Sequence, residues 1–142
     1  NILPANTIVV DLTADEDKIL GRMKPKTRYN IRLALNKGVE VRSVGIDGLQ
    51  TWYNLYKETA ARNGLTLNDF NCFHSMFASK MGMCDDDVDV QLLIAYYDEM
   101  PLAAMFLVLS AHRATYLYGA DCFHKLSSTK SSSNQLVYMD RT

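Results

Sequence analysis

The chain has 142 residues, enough for one ordinary domain with a sizeable core, and its 48% hydrophobic, 22% charged and 10% aromatic content is that of a globular fold. A net charge of −1 gives no overall pull towards nucleic acid or a membrane surface, and no apolar run approaches the roughly 18–20 residues that cross a bilayer. Three cysteines, Cys72, Cys84 and Cys122, form no even set and no CxxC spacing, so they read as reduced thiols and not as a disulfide framework. The chain starts at Asn1 with no signal-peptide pattern and stops at Thr142 just after an apolar-patterned segment, which points to a fragment of a longer cytoplasmic protein.

In chain order, the β-branched run Thr7–Leu12 predicts a strand. Thr13 then caps a short helix, with Glu16 at the capping-box position, ending near Gly21. Pro25 suits the first turn of a second helix running from about Lys26 to Asn36, with Tyr29 or Ile31, Ala34 and Leu35 as its apolar stripe and Gly38 as its stop. Val39, Val41 and Val44 alternate with polar residues and predict a strand. Leu49, Trp52, Tyr53, Leu55, Tyr56 and Ala60 recur at helical spacing up to Asn63-Gly64, and a further helix covers about Asn68–Met81 with Phe70, Phe73, Met76 and Phe77 inward. Asp85–Asp87 reads as a loop.

Three strands follow, Val90–Tyr97, Leu102–Ser110 and Ala114–Gly119, joined by turns at Asp98-Glu99 and Ala111-His112-Arg113. Leu126–Ser133 reads as a polar loop and Asn134–Thr142 as the start of a helix. The order β-α-α-β-α-α-β-β-β-α predicts an α/β or α+β domain with one mixed, mainly antiparallel sheet flanked by helices.

The charge distribution says more than its sum. Arg22, Lys24, Lys26, Arg28, Arg32 and Lys37 occur with no acid among them, and Arg28 and Arg32 at i,i+4 share a helix face. Such a row is a candidate phosphate surface, set against the plainer reading of a solvated helix face. Tyr116 and Tyr118 alternate with Leu117 on one strand and so are expected on the same face of the sheet.

Other candidates carry less. His74, His112 and His124 are scattered, and Cys122-x-His124 lacks a second pair to complete a zinc site. Asp121, after a strand, is a conceivable proton acceptor or simply a turn residue. Arg62, late in its helix, is a cation placed to satisfy terminal carbonyls.

Several stretches, in order, resemble the Fem (FemABX) family of peptidoglycan bridge-forming aminoacyltransferases. They are Ile8-Val9-Val10-Asp11-Leu12, Lys26-Thr27-Arg28-Tyr29-Asn30-Ile31-Arg32-Leu33-Ala34, and Lys37-Gly38-Val39-Glu40-Val41. They continue with Tyr53-x-x-Tyr56-x-x-Thr59-x-x-Arg62-x-Gly64, Pro101-Leu102-Ala103-Ala104 and Tyr116-Leu117-Tyr118-Gly119-Ala120.

The resemblance implies an N-acetyltransferase-like (GNAT) fold, with residues 1–142 as a truncated second domain of a two-domain enzyme. It implies aminoacyl-tRNA as donor and the stem-peptide amine of lipid II, or of its nucleotide-linked precursor, as acceptor, with no cofactor or metal. It places Tyr118 beside the acceptor and leaves the catalytic base unassigned; together with the basic row this makes Lys26, Arg28, Arg32, Tyr116 and Tyr118 the candidate substrate contacts. The isolated piece is expected to be inactive, and its uncovered sheet edge could make it a dimer.

A CoA-dependent N-acetyltransferase is the main alternative. It would need a Gly-rich turn to cradle a pyrophosphate, and the nearest stretch, Lys125–Ser133, has serines but no glycine. A non-catalytic module that grips RNA or another anion is the second alternative.

Overall fold

The computed structural model describes residues 7–80 and 88–122. These fall into two compact units divided between Asn36 and Lys37.

The first unit holds two helices, α1 (Glu16–Arg22) and α2 (Pro25–Asn36). The expected strand at Thr7–Leu12 is not formed, and Ile8 and Val9 are 89% and 83% exposed. A β-branched run is stable as a strand only beside a partner that takes its N–H and C=O groups. No described strand runs beside this one. The expected cap is also replaced: Asp15 is the N-cap residue of α1. The Thr13 hydroxyl donates instead to Asp11 Oδ1 at 2.7 Å, and the Thr13 N–H donates to the same atom at 3.0 Å. This local turn competes with capping.

Pro25 opens α2 as expected, because the missing N–H at that position costs no helical bond. No residue of α2 is fully buried. Ile31 and Ala34 are half-buried at helical spacing, but Tyr29 and Leu35 are exposed, so the stripe is narrower than the sequence suggests. Arg28 holds the two helices to each other. Its Nη1 donates to the carbonyls of Met23 at 2.6 Å, Gly21 at 3.1 Å and Leu20 at 3.5 Å, at the C-terminal end of α1 where carbonyls run out of helical donors.

The second unit contains β1 (Glu40–Val44), α3 (Leu49–Asn63), α4 (Phe70–Lys80), β2 (Val88–Tyr97), β3 (Met100–Ser110) and β4 (Arg113–Asp121). A 3-10 turn at Ile46–Gly48 leads into α3. The four described strands pair in sequence order, every pair antiparallel, so the fold is α+β. The expected mixed sheet is thus antiparallel throughout its described strands.

The tight turn after β2 has Asp98 and Glu99 at φ 49° and 58°, the left-handed pair that matches strand twist in a two-residue hairpin. Arg42 braces it from β1, donating to Glu99 Oε1 at 2.7 Å and Oε2 at 2.9 Å.

α3 lies over β3 and β4, and α4 over β2. Between them and the sheet is an aromatic layer centred on Trp52, which has no exposed surface. Its ring stacks on Tyr56 at 5.1 Å and meets Phe73 edge-on at 4.5 Å, with Phe106 of β3 at 5.4 Å. Edge and offset contacts of this kind suit the ring quadrupoles. α3 ends on Gly64 at φ 63°, a left-handed cap that glycine adopts without a Cβ penalty.

The far end of β4 is tied to α3 by Thr59, a buried polar residue of that helix. Its Oγ1 accepts from Asp121 N–H at 2.9 Å and donates to Asp121 C=O at 3.1 Å. Arg62 Nη2 closes the tie on Asp121 Oδ1 at 2.5 Å. Arg62 therefore pairs with Asp121 across the fold, and the two residues read separately in the sequence form one link.

Two consequences are measurable. Thr59→Val keeps the side-chain shape but removes the hydroxyl that accepts from the Asp121 N–H and donates to its carbonyl, and it should lower unfolding free energy by about 1–3 kcal/mol in denaturant titration. An unchanged midpoint would refute the tie. Arg28→Ala should cost α1 about 1 kcal/mol, roughly a fivefold loss of hydrogen-exchange protection confined to that helix. Unaltered exchange in α1 would show that the guanidinium is not its cap.

Candidate functional site

Of the basic row, Lys24, Lys26, Arg32 and Lys37 are exposed. Arg22 is exposed too, and it faces Asp11 Oδ2 at 3.5 Å. Arg28 is half-buried and turned onto the carbonyls at the end of α1. The exposed positive charge of α2 thus comes from Lys26 and Arg32, which lie on different sides of the helix, with Arg28 fixing the helix that carries them.

In the second unit the structure separates the two tyrosines expected together. Phe106 of β3 pairs with Tyr118, but its neighbour Leu107 pairs with Tyr116, so Leu117 is an extra, unpaired residue. Directly paired residues share a face, and such a bulge reverses which side the following side chains take. Tyr118 therefore joins Phe106 on the face covered by α3 and α4. Tyr116 lies on the opposite face with Leu107 and Gly119. An added Cβ at Gly119 would occupy the place of the Tyr116 hydroxyl, so glycine is what lets that side chain lie along the strand. Burial of its hydroxyl end and, secondarily, the charge of Asp121 push the Tyr116 pKa up.

Tyr118 stands at the rim of the aromatic layer. Its ring meets Phe73 edge-on at 5.2 Å and Tyr56 at 5.8 Å. Its hydroxyl oxygen accepts a hydrogen bond from Asn68 Nδ2 at 3.3 Å. Asn68 is in turn held by α3, whose Tyr53 hydroxyl donates to the Asn68 carbonyl at 3.1 Å. Tyr56, one turn along the same face, has its pKa raised by burial, while a backbone hydrogen bond with Asn68 opposes that shift. Two phenols, Tyr53 and Tyr118, thus bond one asparagine and form a polar rim on the apolar layer.

Sequence reasoning placed Tyr118 here but missed Asn68. The only signal was its position in the polar segment between Gly64 and α4, and its partner lies 50 residues away.

The remaining candidates have structural surroundings or none described. Asp121, considered as a proton acceptor, is occupied by Thr59 and Arg62. Cys72 and His74 are exposed on α4, and Cys122 is buried. His124, and with it the Cys122-x-His124 pair, lies outside the described residues, as do Cys84, the Asp85–Asp87 loop, Leu126–Ser133 and the helix expected at Asn134–Thr142. Among the described residues no three His, Cys, Asp or Glu side chains gather as a metal site, and no helix is long and apolar enough to cross a membrane.

Comparison with known proteins gives a consistent outcome. Over 97 residues the chain is 27% identical to the lipid II:glycine glycyltransferase of Staphylococcus aureus. That match covers 68% of this chain and 22% of the relative, and the same figures hold for the enzyme of strains COL and N315. The chain therefore spans well under a third of these relatives. The crystal structure of FemX shares the fold, with a TM-score of 0.70 at 17% identity over 80% of this chain and 44% of that one. Residues 1–80 match the model of the FemAB family, more than half of the chain. The chain belongs to the FemAB family.

Proposed function

We propose that this chain is part of an enzyme that moves an amino acid from aminoacyl-tRNA to the stem-peptide amine of a peptidoglycan precursor, building the interpeptide bridge of the cell wall. Family membership through residues 1–80 carries the reading. The name of the Staphylococcus aureus relative, a lipid II:glycine glycyltransferase, supplies the reaction class and the precursor. In this reading residues 1–142 are an N-acetyltransferase-like (GNAT) domain, the second of two. The protein works in the cytoplasm, where charged tRNA is found.

The reaction is aminolysis of an ester. The amine nitrogen attacks the aminoacyl carbonyl, a C–N bond forms, the ester C–O bond breaks, and the proton lost by the amine ends on the tRNA ribose oxygen. Such a reaction needs reactants held in contact and donors facing the developing oxyanion. Lys26 and Arg32 supply exposed positive charge for tRNA or precursor phosphates, and Arg28 keeps their helix in place. Tyr118, with its apolar floor of Phe73 and Phe106, borders the acceptor peptide. Tyr116 serves from the other face of β4, as a contact outside the Tyr118 rim.

The test uses the intact protein with charged tRNAs, a muropeptide precursor and, separately, acetyl-CoA. Amino-acid transfer is expected, with a KM for tRNA that rises in Lys26→Ala/Arg32→Ala. Each lost phosphate contact should also flatten the log–log salt dependence by about 0.7–0.9. Acetyl transfer indifferent to tRNA would overturn the proposal, and so would binding of RNA without any transfer.

A further inference from the structure

Resting on that reading of the Tyr118 rim, we infer that Asn68 is a positioning residue that makes Tyr118 a hydrogen-bond donor to a carbonyl oxygen of the bound substrate. A phenol oxygen can accept, but it has a single proton to give. Asn68 Nδ2 offers its N–H to that oxygen at 3.3 Å, so the contact uses a lone pair and leaves the Tyr118 proton to point elsewhere. Among the described residues no acceptor takes that proton. The Tyr118 side chain is half-buried, its ring packed on those of Phe73, Tyr56 and Phe106, and a hydrogen bond at the edge of such an apolar layer is stronger than in water.

The asparagine is held by α3. Tyr53 donates to its backbone carbonyl at 3.1 Å. Tyr53 and Tyr56 are three residues apart on α3, on the face packed around Trp52 and Phe73, so the polarity of the rim is set from a buried helix face. Asparagine suits the position better than its isosteric acid. A carboxylate at residue 68 would accept the Tyr118 proton and turn the hydroxyl inward, away from any ligand.

The experiment compares intact wild-type protein with Asn68→Asp, Tyr118→Phe and the double variant in the amino-acid transfer assay. Asn68→Asp and Tyr118→Phe should each lose about tenfold to a hundredfold in kcat/KM. The double variant should lose no more than Tyr118→Phe alone, because both changes remove the same donor. The Asn68→Asp loss should also shrink as pH falls from about 8 to about 5, since a protonated carboxyl can again donate to the phenol oxygen.

A purely structural role would give additive losses and no such recovery. Impairment in Tyr118→Phe with wild-type rates in Asn68→Asp would overturn the inference alone. Wild-type rates in Tyr118→Phe would remove the proposed site and the inference with it. A readout that does not depend on the folding of Asn68→Asp is the Asn68 side-chain amide resonance. It should shift on Tyr118→Phe, and an unmoved resonance would show that the amide does not donate to this phenol.

Discussion

Trp52 is shut from solvent between α3 and the inner face of the sheet, and the arrangement of the second unit follows from filling the space around it. Its ring fixes how closely α3 approaches Phe106 of β3, and α4 approaches through Phe73. The same aromatic layer continues outward to Tyr118, 6.3 Å from the indole. Floor and rim are therefore one packed unit. No acceptor takes the indole N–H among the described residues, so packing and ring contacts hold the residue.

The second constraint lies in strand register. One extra residue, Leu117, decides that Tyr118 faces the helices while Tyr116 faces away, and it does so without changing any side chain. Beyond the bulge, Thr59 and Arg62 clamp Asp121, which fixes where β4 ends against α3. Tyr118 is thus held from both ends of its strand, and Asn68 then orients its hydroxyl.

Much of this was legible in the sequence because it is local. The 3.6-residue recurrence of Leu49, Trp52, Leu55 and Tyr56 identified α3 and its inner face, Phe73 and Phe77 did the same for α4, and the turn residues separated three strands. The errors share a cause, which is that partners distant in sequence were invisible. Ile8-Val9-Val10 has strand composition but no described neighbour, and Thr13 bonds Asp11 while Asp15 takes the cap position. The alternation Tyr116-Leu117-Tyr118 implied one face only because the register of β3 could not be read from β4 alone. The contacts of Arg28 Nη1 with carbonyls at the end of α1 were equally invisible from the charge pattern. Asn68 was marked only by its place in the polar segment after Gly64, since what makes it notable is a contact with Tyr118.

The central claim is that the acceptor lies on the Tyr118 rim and not on the outer face of the sheet. The most direct measurement is an NMR titration of the intact protein, labelled at its tyrosine rings, with a soluble stem-peptide precursor. Saturable shifts of Tyr118, Tyr53 and Tyr56 with an unmoved Tyr116 are the predicted result. Shifts at Tyr116 with a silent Tyr118 would contradict the account.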